Sequence, residues 1–92
     1  MSNPIDGHSV PALSTGLRFQ WEPAQDSHVL LYPEGMVKLN GSAAAIMELV
    51  DGQRSVAAIV AELERRYGSS GLLDDVLEFL ITARERGWID VH

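Results

Sequence analysis

The run Val29-Leu30-Leu31-Tyr32-Pro33-Glu34-Gly35-Met36-Val37-Lys38-Leu39-Asn40 constrains the fold more than any other stretch. Two apolar segments flank a Pro-Glu-Gly turn. Pro33 suits position i+1 of a type I turn and Gly35 the positive-φ position that follows, which predicts a β-hairpin with its strands locked in register. The strand after the turn, Met36 to Leu39, leads almost at once into helix-forming sequence. No later segment reads as a strand long enough to pair with it, so its outer edge is expected to be open.

Upstream, Leu17, Phe19 and Trp21 alternate with Arg18, Gln20 and Glu22, a period of two that predicts a further strand. Pro23-Ala24-Gln25-Asp26-Ser27 ends it, and His28 to Tyr32 forms the next. Short connections favour pairing of sequential strands, so the sheet is expected to be an antiparallel meander with its first and third members as edges. Val37 and Leu39 then face inward, and Met36 and Lys38 face the other way. Residues 1–16 hold Pro4, Gly7, Pro11 and Gly16 without any period. They read as a flexible N-terminal arm with Val10 and Leu13 as its anchors, and residues 17–92 as a single domain.

Asn40 is placed to cap a helix that starts near Gly41 and ends at Asp51-Gly52. Ser55 caps a second, whose apolar face is Val56, Ile59, Val60, Leu63 and Tyr67, and Gly68 stops it. A third runs from about Leu72 to Arg86, after which Trp88 and Ile89 return to the core. The fold class is α+β and winged-helix-like, a three-stranded antiparallel sheet followed by three helices. In the third helix, Leu72, Leu73, Val76, Leu77, Phe79, Leu80, Ile81 and Ala83 span roughly 200° of the wheel, wider than a one-sided helix needs. Either the helix packs on both other helices and the sheet, or one flank lines a groove.

Function is narrowed first by exclusion. The net charge is -6 with only seven Lys and Arg, and the third helix opens on Asp74 and Asp75, where a DNA-reading helix would meet phosphates. A winged-helix DNA-binding protein is therefore the weaker alternative. Cysteine is absent, which excludes thiolate zinc sites and disulfides and suits a reducing cytoplasm. His8, His28 and His92 have no ligand spacing, and neither a phosphate loop nor a GxSxG elbow is present. No cofactor, metal or catalysis is expected. No run has membrane-spanning length, and the N-terminus has no signal-peptide pattern.

A peptide-binding module needs only an open strand edge beside an apolar helix flank, and strand addition is its mode. Met36, Val37, Lys38 and Leu39 are the candidate pairing strand. Phe79, as the bulkiest side chain of the helix, is assigned to the core, which leaves Leu73, Leu77 and Ile81 as groove lining, with Lys38 and Arg84 placed to meet peptide carboxylates. Glu48, Asp51, Arg65 and Arg66 are exposed candidates for a docking face. For Glu48 and Asp51, simple solvation, neutralisation of Asp51 by Arg54 and a partner-facing acidic spot all stay open. A plain protein adaptor is a further alternative, and the open edge and loose arm both favour a homodimer.

Several motifs in order, Leu30-Leu31-Tyr32-Pro33-Glu34-Gly35, Leu39-Asn40-Gly41-Ser42-Ala43-Ala44-Ala45-Ile46, Asp51-Gly52, and Asp75-Val76 through Phe79-Leu80 to Arg86-Gly87-Trp88-Ile89, resemble the PqqD family of pyrroloquinoline quinone biosynthesis. Pro11-Ala12-Leu13 with Gly16-Leu17-Arg18 is similar to the family's start. The resemblance implies a non-enzymatic peptide chaperone. It would bind the short ribosomal precursor peptide along the third strand and against the third helix, and present it to a radical S-adenosylmethionine enzyme as a separate partner.

Overall fold

The computed structural model describes residues 4–92. In chain order the elements are β1 (Pro11–Leu13), β2 (Arg18–Glu22), β3 (Ser27–Tyr32), β4 (Gly35–Lys38), α1 (Gly41–Met47), α2 (Val56–Tyr67), α3 (Leu73–Glu85) and β5 (Ile89–Val91). As expected, β2, β3 and β4 form an antiparallel meander with β3 in the centre. Tyr32 pairs with Gly35, so only Pro33 and Glu34 remain in the turn. Gly35 is therefore a strand residue, and it does not take the positive φ expected of it. In the separate β2–β3 connection Asp26 takes a left-handed backbone, φ 50, which a short polar side chain tolerates.

Side chains follow the pleat. Phe19, Leu30 and Val37 stand in one row across the sheet and pack on the helices, with Leu30 wholly buried. Trp21, on the same face, projects past them: it is 50% exposed and covers the His28 ring edge-on at 5.2 Å. The helices complete the core through Ile46, Met47, Ile59, Leu63, Val76 and Leu80.

Caps set the helix ends. The Asn40 side chain accepts from Ala43 N–H at 2.8 Å, and the Ser55 hydroxyl accepts from Ala58 N–H at 3.1 Å. α1 is shorter than its sequence pattern, ending at Met47, because Leu49 and Val50 donate to Ile46 and Met47 in tighter three-residue turns. Asp51 then accepts from Gln53 and Arg54 N–H at 2.9 Å each and turns the chain into α2. These two bonds, the Arg54 one foremost, hold its carboxyl below the usual range. Lacking a cap of its own, α3 receives one from α2: Glu64 accepts from Leu72 N–H at 3.0 Å.

The segment read as an irregular arm departs most from expectation. β1 pairs antiparallel with β5, and Val10 and His92 exchange both backbone bonds, at 2.9 and 3.0 Å. The Ser9 and Gly7 carbonyls accept from Val56 and Ala57 N–H, donors that the first turn of α2 leaves unsatisfied within the helix. Ile5 and Pro11 are buried, anchors that three-residue pairing and single apolar positions do not signal by period. Replacing Ile5 by Ala is accordingly expected to lower the unfolding free energy by about 2 kcal/mol. Urea denaturation reads the loss directly, whereas an unattached arm would leave the midpoint unmoved.

Candidate functional site

Among the described residues β4 has one strand neighbour, β3. Leu39 N–H donates to the His28 carbonyl at 3.0 Å, and since bonded and non-bonded pairs alternate in an antiparallel ladder, Val37 and Gly35 also bond inward to β3. Met36 and Lys38 therefore direct their N–H and C=O groups outward from the sheet. Two residues apart, they offer the spacing that another extended chain would need to continue the sheet.

Beside this edge runs a cleft of about 430 Å³. Val37, Lys38 and Leu39 form its strand side, and α1 contributes Ala43 and Ile46. Asp75, Phe79, Thr82 and Arg86 form the α3 side; spaced four, three and four residues apart, they lie on one face of the helix. Trp88 closes one end, with its ring 6.5 Å from that of Phe79 and the Arg86 guanidinium 5.4 Å above it. Lys38 and Arg86 thus border the cleft with positive charge, and Asp75 with negative.

On the strand side Val37, Lys38 and Leu39 line the cleft and Met36 does not, while on the helix side α3 turns toward β4 a different flank from the one expected. Val76, Leu80 and Ala83 form the buried stripe of α3, and the Phe79 flank, not the Leu73 flank, meets β4. Leu73 and Ile81 are exposed on the far flank, Leu77 is partly buried against the core, and none of the three lines the cleft. Arg84 stands among Asp6, His8 and Asp90 beside the N-terminal segment. A helical wheel gives the width of an apolar face but not which flank meets a sheet edge. Bulk misled here, because Phe79 fills the cleft wall while half-buried. The aromatic Trp88 just after the helix, with Arg86 two residues before it, was the available signal.

The docking candidates are engaged locally. Glu62 binds Arg65 at 2.6 Å and Arg66 at 2.7 Å, while Glu48 lies 3.8 Å from Arg66 and 3.5 Å from His28. Arg54 lies 3.5 Å from Asp51. No group of three His, Cys, Asp or Glu residues suited to a metal occurs among the described residues, and no described helix is long and apolar enough to cross a membrane.

This combination defines a class, a winged-helix-like α+β domain with an unpaired strand edge beside an apolar cleft. The family model described as coenzyme PQQ synthesis protein D (PqqD) matches residues 27–89. The PqqA binding protein of Azotobacter vinelandii (strain DJ / ATCC BAA-1303) is 65% identical over 86 residues, covering 92% of this chain and 94% of the relative. That of Klebsiella pneumoniae is 58% identical over 82 residues, 88% and 89% of the two chains. The solution NMR structure of the PqqD truncation of Methylobacterium extorquens PqqCD, a functional, stand-alone RiPP (ribosomally synthesised, post-translationally modified peptide) recognition element, superposes with a TM-score of 0.79 at 30% identity and 94% coverage of both chains. The crystal structure of PqqD from Xanthomonas campestris gives 0.54 at 32% identity, covering 82% of this chain and 86% of that one. The chain belongs to the PqqD family.

Hydrogen bonds from Arg65 and then Arg66 bring the Glu62 carboxyl from 4.5 down to about 2. A depressed carboxylate stabilises the fold fully above its unfolded value, and that contribution is lost as pH falls through the folded one. Melting curves of Glu62→Gln and the parent are expected to differ at neutral pH and to converge between pH 4.5 and about 2. A constant offset across that window would show that the two arginines contribute nothing through the Glu62 charge.

Proposed function

We propose that this protein is a peptide chaperone without catalysis of its own, which captures the PqqA precursor peptide by strand addition and presents it to a radical S-adenosylmethionine enzyme. The observation that carries the reading is the outward-facing backbone of Met36 and Lys38 beside the Phe79 cleft. A peptide paired there lays alternate side chains toward α3, so that main-chain bonds supply affinity and the cleft supplies selection. Lys38 and Arg86 favour carboxylates on the guest. Relatives named for PqqA binding at 58–65% identity support the choice of guest. The cytoplasm, where a ribosomal peptide first appears, is the compartment this role assigns.

A second copy of the chain could pair at the same edge, so homodimerisation through β4 and peptide capture would be mutually exclusive. The DNA-reading alternative draws no support from α3, whose first turn carries Asp74 and Asp75.

The pairing phase selects the test. Lys38→Pro removes an outward N–H and leaves the bonds to β3 intact, whereas Val37→Pro breaks the ladder. Calorimetric titration of Lys38→Pro with synthetic PqqA peptide is expected to show affinity reduced at least about tenfold, with an unchanged far-UV spectrum. Parent-like affinity would remove the β4 edge from the binding site.

A further inference from the structure

The cleft beside β4 continues past α1. It shares Ser42, Ile46 and Asp75 with a second cleft of about 540 Å³, bounded by the N-terminal ends of α1 and α3 and the C-terminal end of α2. On the α1 side the second cleft is bounded by Gly41, Ser42, Ala45 and Ile46, of which the first three carry too little side chain to fill the space between helices. Its other walls are mostly apolar, from Leu63, Leu72 and Val76, with Ser69 and Asp75 as polar members. Tyr67, which the sequence pattern places in the core, instead stands at the rim with 62% of its surface exposed. A large aromatic left in water over an apolar cleft is the kind of anchor that binding sites use.

Charge and position tie the two clefts together. Asp75 lines both and marks their junction, whereas the cations Lys38 and Arg86 lie on the strand-side cleft alone. Extended chain advances about 3.3 Å per residue, so a few residues beyond a segment paired with Lys38 pass Asn40 and Gly41 and enter the second cleft.

We infer that the guest peptide is held at two places. Its central segment pairs with β4, and the residues flanking that segment at the Asn40 end carry a cation to Asp75 and lodge an apolar side chain against Tyr67. This inference rests on the strand-addition reading above. It adds that the peptide's contact extends beyond the paired segment and that the α1–α2–α3 junction contributes to sequence choice.

Calorimetry with synthetic PqqA peptide separates the two ideas. Tyr67→Ser removes the rim of the cleft at an exposed position, and Ala45→Trp fills it; each is expected to weaken binding about five- to tenfold. Asp75→Asn is expected to weaken it less and to reduce its dependence on salt. A peptide shortened at the flank that enters the cleft should lose affinity for the parent protein and be indifferent to Tyr67→Ser. Full affinity in both Tyr67→Ser and Ala45→Trp, with Lys38→Pro still weakened, overturns the second anchor and leaves strand addition standing. Full affinity in Lys38→Pro overturns the reading beneath it, and an unchanged Asp75→Asn overturns the cationic contact.

Discussion

One main-chain bond, from Leu39 N–H to the His28 carbonyl, sets the phase of the β3–β4 ladder, and the site geometry follows from that phase. It turns the Val37 backbone inward to β3 and leaves the polar groups of Met36 and Lys38 pointing away from the sheet. The same pleat places Val37 and Leu39 on the helix side, where they form one wall of the cleft. A slip of one residue would exchange every one of these assignments. Register is held from both ends, by the two-residue Pro33-Glu34 turn and by the Asn40 cap that starts α1 immediately after the strand.

The site therefore combines a rigid framework with an unsatisfied surface. Leu30 in the central strand is completely buried, and the helices beneath it are capped by Asn40, Ser55 and Glu64. The open groups lie on the last strand before the helices, beside a cleft that a half-buried Phe79 and the Arg86–Trp88 pair also line. As the proposed peptide site, it would be formed before a partner arrives, and the guest alone would bear most of the ordering entropy.

Much of this was legible from residue order. Alternation in Leu17–Glu22, the Pro33 turn and the polar caps are local signals, and each set its element within a residue or a few. Only the end of α1 strayed further, to Met47, where short turns replace the last helical bonds. The misreadings concern relations between distant segments. β1 and β5 hold three residues each and are defined by one another, so neither announces itself alone. Phe79 and Leu73 occupy equivalent positions on the rim of an apolar face, and only the path of the chain from β4 into α1 decides which meets the sheet edge. Tyr67 continues the buried stripe of α2 in sequence but lies in its last turn, beyond the reach of the core.

The first and last described residues, Pro4 and His92, line one cavity beside the reciprocal bonds between Val10 and His92. The β1–β5 ribbon is a separate sheet from the one that carries the open edge. A unit whose chain enters and leaves side by side can be spliced into a loop of a larger host without being pulled apart. Tethered in that way, it would bring its guest to the host's own reaction centre at a local concentration set by the length of the connecting linkers.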